Sequence, residues 1–168
     1  ETTREALRRL ARRPDSDVAI VSGRALDDVR DRVAVDGLVY AGNHGMEIEG
    51  PGLSRIHQEA ADARPALAAC ADELRRALQP IDGVFVEDKG ITLSVHYRLA
   101  SEPDAERRVR DFARACAERA GLRLTHGKKV VELRPDVEWD KGRATRFILA
   151  ALEAGHGNAV PALFIGDD

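Results

Sequence analysis

The sequence contains few of the residues that would assign it at once to a compartment or a class of partner. Its 168 residues include two cysteines, one tryptophan and 4% aromatic residues. Cys70 and Cys116 lie among alanines, and no Cys/His spacing around them supports a disulfide framework or a metal site. We therefore interpret both as small buried hydrophobic residues. Because reduced cysteines are typical of the cytoplasm, we expect a cytoplasmic protein.

The sequence also lacks long apolar runs and an excess of positive charge. No stretch approaches the length of a membrane-spanning helix, so we expect no membrane partner. The net charge of −3 leaves no basic excess to neutralise a phosphate backbone, so we expect no nucleic-acid partner. What is present, 43% hydrophobic and 33% charged residues, is the composition of a folded chain with a core of its own.

Short apolar runs alternate with helical patterns at both ends of the chain. Val18–Val21 and Leu38–Ala41 are continuous apolar runs bounded by turn residues, as buried parallel strands are. Apolar residues between them recur at helical spacing. A helix predicted to begin at Lys141 is followed by a third apolar run, Ala162–Ile165. This alternation predicts an α/β fold with a doubly wound parallel sheet.

The middle of the chain follows a different pattern. Between Leu53 and Arg134 the spacing predicts a long helix, two strands, a second helix and two further strands. Residues 91–98 alternate strictly between apolar and polar side chains, which predicts a strand with one covered face and one open face that carries Thr92 and Ser94. We therefore predict an α+β domain at residues 53–134, inserted into a core formed by residues 1–52 and 135–168.

Three segments that follow predicted strands or open predicted helices could bind a phosphate or a metal. Ser22 lies at the carboxyl end of a strand, where its hydroxyl and the N–H groups of the next helix could hold a phosphoryl oxygen or simply form a turn. Lys141 is a compact cation at a helix start, suited to a phosphate or merely exposed there. Asp167 and Asp168 offer the hard oxygen ligands that Mg²⁺ prefers, or an N-cap.

Two further sets of polar residues could contact a substrate. Glu87 and Lys89 are two residues apart on one strand and share a face, and Glu132 lies on another strand of the insert. Such groups could hydrogen-bond sugar hydroxyls, or form a solvated salt-bridged surface. Asn43 and His44, flanked by glycines after a predicted strand, could contact substrate or form an ordinary turn.

Taken together, these segments resemble the trehalose-6-phosphate phosphatase family of the haloacid-dehalogenase superfamily. The resemblance covers essentially the whole chain. It is carried by Val18–Arg24, Gly42–Gly45, Val86–Arg98, Gly127–Pro135, Asp140–Gly142 and Ile165–Asp168. Each segment is short, but their order and spacing, above all in the two segments of the insert, are specific.

The resemblance implies that the intact protein hydrolyses trehalose 6-phosphate to trehalose and phosphate, through an aspartyl-phosphate intermediate and with Mg²⁺. It implies that Ser22 and Lys141 hold the phosphoryl group and that Asp167 and Asp168 bind the metal. The substrate-binding positions that it implies are Arg24, Asn43, His44, Glu87, Lys89 and Glu132. A trehalose-6-phosphate synthase is a partner that the resemblance also suggests.

The sequence departs from the family pattern at two places. The family's Asp-x-Asp-x-Thr strand is expected before the first helix, and its fourth motif is expected to continue beyond Asp168. No nucleophile and no general acid are therefore assigned to any residue, and we expect the core to be incomplete at both ends and the chain alone to be inactive. Two alternatives stay open: a phosphatase of another sugar phosphate, such as sucrose phosphate or a glucosyl-glycerate phosphate, and a non-catalytic domain that binds sugar phosphate or scaffolds a synthase.

Overall fold

The computed structural model describes residues 2–166, and their contacts divide the chain into two compact units. The first unit holds the residues up to Arg55 and those from Trp139 onward, and the second holds Ile56–Glu138. The second unit thus begins at Ile56 rather than at residue 53 and ends at Glu138 rather than at residue 134. The difference at its start arises because residues 53–55 belong to a strand of the first unit's sheet.

The described residues form six α-helices, one 3₁₀ turn at Asn43–Gly45 and eight strands. In chain order they are α1 (Thr3–Ala11), β1 (Ala19–Val21), α2 (Leu26–Val33), β2 (Val39–Gly42), β3 (Glu47–Gly50), β4 (Leu53–Ile56), α3 (Gln58–Asp62), α4 (Arg64–Leu78), β5 (Phe85–Asp88), β6 (Leu93–His96), α5 (Ala105–Ala120), β7 (Leu122–Gly127), β8 (Val130–Pro135) and α6 (Lys141–His156).

The first unit has helices on both faces of a sheet with the order β1-β2-β3-β4. Strands β1 and β2 are parallel, and β3 runs antiparallel to β2. Tyr40 packs on one face with residues of α1 and α2, whereas Ala41 packs on the other face with Ile148 of α6. Consecutive residues of β2 therefore contact opposite helical layers, and both are buried. The predicted α/β class is confirmed.

The helices of this unit begin and end where the local sequence supplies capping groups. Thr2 and Glu5 form a reciprocal capping box at the start of α1. The Asp140 carboxylate accepts a hydrogen bond from the Arg143 N–H at 2.7 Å, which fixes the first turn of α6. Gly157, in the left-handed conformation, ends that helix.

The first unit contains one hairpin that the sequence does not predict, and residues 2–166 lack one strand that the sequence does predict. The hairpin is formed by β3 and β4, whose four-residue arms are too short for a recognisable pattern. The strand predicted at Ala162–Ile165 is not formed, and the large side chains within it are exposed. A strand needs a neighbouring backbone to pair with, and among residues 2–166 this segment has none.

The second unit is a four-stranded antiparallel sheet with helices α4 and α5 on one face. Its strand order is β5-β6-β8-β7. Leu93 and Val95 of β6 pack with Leu74 of α4 and Val109 of α5 in a buried core. The predicted order of helix, two strands, helix and two strands is observed, with the short helix α3 before α4. Cys70 and Cys116 are free and buried in this core, as predicted.

The opposite face of this sheet, which we call the polar face, carries Glu87, Ser94 and Glu132 opposite one another on adjacent strands. The prediction that Thr92 and Ser94 lie open to solvent is wrong, because both are buried. Strict alternation identifies the face on which a side chain lies, but it does not show that short side chains are covered by longer neighbours. Among residues 2–166, no helix is both long and apolar enough to cross a membrane.

Candidate functional site

The loops that follow the two parallel strands form the first part of the site. After β1, the Ser22 N–H continues the ladder to the Ala41 carbonyl at 2.9 Å. The Ser22 side-chain oxygen accepts a hydrogen bond from the Arg24 N–H at 3.2 Å, which tightens the turn into α2. Because both strands are parallel, their carboxyl ends lie at the same edge of the sheet, where α/β proteins bind ligands.

The loop at Asn43–Gly45 is held in an uncommon backbone conformation. Asn43, His44 and Gly45 have φ values of 49°, 59° and 85°, a run of left-handed residues. The Asn43 N–H donates to the Arg24 carbonyl at 2.6 Å, and the His44 N–H donates to the Ser22 carbonyl at 2.8 Å. The two strand-end loops are thus joined by backbone hydrogen bonds. Such strain persists where surrounding contacts fix it, often at functional sites.

Side chains reinforce this junction. Asn43 is fully buried, and its Nδ2 donates to Glu47 Oε2 at 2.7 Å. The His44 ring lies so close to Gly23 that a Cβ at Gly23 would be 2.8 Å from His44 Cε1. The sequence identifies Asn43 and His44 as candidates but gives no signal for Glu47, since that pairing depends on how the chain turns into β3.

Arg24 forms a hydrogen bond with Asp28, a residue that the sequence does not single out. Its Nη1 donates to Asp28 Oδ2 at 2.8 Å, one helical turn further along, and Asp28 also binds Arg32. The hydrogen bond from Arg24, followed by that from Arg32, lowers the pKa of Asp28. Asp28 therefore stays ionised and orients Arg24, although both lie near solvent, where such pairs contribute little to stability.

Lys141 begins α6, and this helix starts beside the Asn43–Gly45 loop. Trp139 Nε1 donates to the Gly45 carbonyl at 2.8 Å. A Cβ at Gly45 would lie 2.1 Å from the Ala144 Cβ, so only glycine allows helix and loop to approach this closely. The structure therefore brings the loops at Ser22 and Asn43 into direct contact and starts the helix of Lys141 against the second loop.

The predicted metal ligands, Asp167 and Asp168, lie outside the described residues. Within residues 2–166 there is no group of three Asp, Glu, His or Cys side chains that could hold a metal ion. Carboxylates are nevertheless the donors that suit Mg²⁺, which takes one or two of them and keeps several waters.

In the second unit the three predicted sugar-contacting residues lie together on the polar face. Lys89 Nζ is 3.0 Å from Glu132 Oε1, and the two side chains are only 10% and 15% exposed. Glu87 lies two strands from Glu132 in the same cross-strand row, with buried Ser94 between them. A largely buried ion pair next to a third carboxylate supplies fixed donors and acceptors of the kind that bind hydroxyl groups.

A further feature of this face is not evident from the sequence. Phe85 stacks on His96 with ring centroids 4.5 Å apart and planes 13° apart. His96 Nε2 in turn lies 2.8 Å from Glu87 Oε2. The sequence alone assigns no role in the site to His96 or Phe85. The two residues are paired by the register of strands β5 and β6, which the sequence does not reveal.

Solved structures with the same fold define the class. A trehalose-6-phosphate phosphatase related protein aligns with a TM-score of 0.76 at 20% identity, over 88% of this chain and 62% of that one. The C-terminal domain of Candida albicans trehalose-6-phosphate phosphatase aligns with a TM-score of 0.68 at 19% identity, over 87% of this chain and 52% of that one. The chain therefore shares the fold of these two structures.

Sequence comparison defines the family. A family model described as trehalose-phosphatase matches residues 1–168. The trehalose-phosphate phosphatase of Mycobacterium bovis (strain BCG / Pasteur 1173P2) is 43% identical over 166 residues, which are 98% of this chain and 41% of that protein. The chain belongs to the trehalose-phosphatase family. It spans about two fifths of the length of the curated relatives that it matches.

Proposed function

We propose that the intact protein containing this chain hydrolyses trehalose 6-phosphate to trehalose and inorganic phosphate. The observation that carries the proposal is the 43% identity, over 98% of the chain, to a protein named trehalose-phosphate phosphatase. The reaction adds water across the phosphate ester, and the superfamily's route passes through an aspartyl-phosphate. We assign neither the nucleophile nor the general acid to a residue of this chain.

The strand-end loops of the first unit are proposed to bind the phosphoryl group. Ser22 would donate its hydroxyl to a phosphoryl oxygen, and the Lys141 ammonium would offset the negative charge. The joined loops and the start of α6 support this role because they hold polar groups on one sheet edge without further reorganisation. Arg24 and His44 would line the same edge and contact the substrate, whereas Asn43, predicted as a third contact, is buried and would instead hold the loop through its hydrogen bond to Glu47.

Mg²⁺ is the proposed cofactor, with Asp167 and Asp168 as its ligands. Two adjacent carboxylates after a Gly are a donor set that this ion accepts while keeping waters. When bound, the ion supplies positive charge that stabilises negative phosphoryl oxygens during transfer.

The second unit is proposed as the domain that recognises the sugar, which corresponds to the predicted insert at residues 53–134. Glu87, Lys89 and Glu132 would hydrogen-bond the hydroxyl groups of trehalose 6-phosphate. The Lys89–Glu132 pair supports this, because it fixes an ammonium and a carboxylate on the same face as Glu87, where such groups can bind hydroxyls.

We further propose that the reaction takes place in the cytoplasm, as a step of trehalose biosynthesis. The two free, buried thiols support a reducing compartment. A trehalose-6-phosphate synthase is the proposed partner, because an enzyme of that kind must supply the phosphorylated disaccharide.

The test is phosphate release by the purified intact protein from trehalose 6-phosphate, sucrose 6-phosphate and a glucosyl-glycerate phosphate. We expect trehalose 6-phosphate to have the highest kcat/KM, and activity to disappear with EDTA and return with excess Mg²⁺.

Ser22→Ala should lower kcat/KM at least tenfold, the size of one lost hydrogen bond to a charged group. Ser54→Ala, at an exposed serine of the first unit, is the matched control. Preference for another ester, or no hydrolysis of any, would contradict the proposal.

A further inference from the structure

The polar face of the second unit carries an aromatic surface beside its charged residues. We propose that Phe85, backed on one side by the stacked ring of His96, forms a platform whose uncovered face contacts the face of a pyranose ring, and that Phe85 is a specificity-determining residue for a sugar phosphate. This inference rests on the proposed function, since it adds a contact for the same substrate.

The two rings lie flat against one another because their strands are in register. Phe85 of β5 is directly opposite His96 of β6 in an antiparallel pair. The rings are nearly parallel, at 13°, with centroids 4.5 Å apart. Phe85 is nonetheless 54% exposed, so much of its ring is available for a ligand.

The platform is continuous with the charged part of the face. Phe85 and Glu87 are two residues apart on one strand and therefore share a face. His96 Nε2 lies 2.8 Å from Glu87 Oε2, so the histidine contacts both the aromatic ring and the carboxylate. The next cross-strand row on this face contains Glu87, Ser94 and Glu132 in that order, and Glu132 pairs with Lys89.

A pyranose ring matches such a combination of surfaces. Its hydroxyl groups point outward around the edge, whereas its faces present C–H groups. An aromatic ring has a negative face, which attracts C–H groups, and carboxylates and an ammonium bind hydroxyls. A site with an aromatic wall and a few fixed polar groups is typical of a small-molecule site. A small phosphorylated compound with neither a sugar nor an aromatic ring, such as acetyl phosphate, would gain nothing from the platform.

The experiment uses the intact protein with Phe85→Ala, Phe85→Tyr and Phe112→Ala. Phe112 is a matched control, because it is also an exposed phenylalanine of the second unit, at 41%, but belongs to helix α5. For each variant, kcat/KM is measured for trehalose 6-phosphate and for acetyl phosphate, which has no ring to stack on Phe85, and their ratio gives the sugar preference.

We expect Phe85→Ala to lower this ratio about three- to tenfold, the range for one aromatic contact. Phe85→Tyr, which keeps the ring, should keep the ratio within twofold of the wild type, as should Phe112→Ala. The inference is overturned if Phe85→Ala leaves the ratio unchanged, or if Phe112→Ala lowers it equally. A wild-type protein that does not hydrolyse trehalose 6-phosphate would instead refute the proposed function, independently of Phe85.

Discussion

At the scale of single residues, Gly45 is a position where the structure leaves no room for a side chain. Its backbone has a φ of 85°, and an added Cβ would lie 2.1 Å from the Ala144 Cβ. Gly37 has nearly the same φ, 81°, but an added Cβ there would meet nothing within 4 Å. Alanine substitutions at the two glycines therefore separate the cost of backbone strain from the cost of steric overlap.

We expect Gly45→Ala to lower the free energy of unfolding by about 2–5 kcal/mol, the sum of left-handed strain and overpacking. Gly37→Ala should cost only the strain, about 1–2 kcal/mol. Urea unfolding of both variants measures the difference. Equal losses would show that helix α6 does not pack against Gly45 as described.

The Cys116 thiol gives a second residue-scale prediction. Burial, followed by the nearby Cys70 and Glu73, raises the pKa of Cys116 to about 12. The folded state therefore keeps its proton at pH values where the unfolded thiol ionises. The contribution of the Cys116 thiol to the free energy of unfolding is fully present below the pKa of the thiol in the unfolded chain. It is lost as the pH rises towards the pKa of the thiol in the folded state.

Because the thiolate is the reactive species, iodoacetamide should modify Cys116 slowly in the native protein from pH 8 to pH 10. Modification should become fast in urea, where the thiol is exposed and ionises near its ordinary pKa. Mass spectrometry of the Cys116 peptide over time measures both rates. Comparable native and unfolded rates would contradict the burial of this residue.

At the scale of elements, Trp139 links the start of α6 to the loop after β2. Its Nε1 donates to the Gly45 carbonyl, and the Arg55 guanidinium lies 4.5 Å from its ring centroid. Arg55 is also 4.3 Å from the Phe147 ring centroid. A cation between two rings is a contact of about 0.5–1 kcal/mol near a surface.

Trp139→Phe should remove the hydrogen bond but keep an aromatic ring under Arg55. We expect a loss of about 1 kcal/mol in the free energy of unfolding, close to the average for one hydrogen bond. Thermal unfolding gives the measurement, with Phe112→Leu as a control at an exposed aromatic position. An unchanged midpoint would show that the indole N–H does not hold the loop.

Most helices and strands can be predicted from the local sequence, and those that cannot have physical causes. Helix α5 is predictable because Val109 and Cys116 mark one face and Gly121 ends it in the left-handed conformation. The hairpin of β3 and β4 is too short for its pattern to differ from that of a loop. Ala162–Ile165 has the composition of a strand, but composition cannot show whether a backbone partner is present.

At the scale of the whole molecule, polar groups form one set in each unit. The first unit holds Ser22 and Lys141, which suit a phosphate, and the second holds the Lys89–Glu132 pair, which suits hydroxyl groups. These candidates were identifiable in the sequence because their order and spacing match a family. Their partners, such as Asp28, Glu47 and Phe85, were not, because those pairings depend on helix direction and strand register.

We propose that the polar face of the second unit selects trehalose 6-phosphate. Glu132→Gln keeps the shape of the side chain but removes the charge that pairs with Lys89. Glu118→Gln, at an exposed glutamate of α5, is the matched control. The intact protein should be used for both variants.

The most direct measurement is the ratio of kcat/KM for trehalose 6-phosphate to that for p-nitrophenyl phosphate. We predict that Glu132→Gln lowers this ratio about tenfold or more, as expected for a lost hydrogen bond to a charged group, and that Glu118→Gln leaves it unchanged. An unchanged ratio for Glu132→Gln, in a protein that hydrolyses trehalose 6-phosphate, would contradict the assignment of sugar recognition to this face.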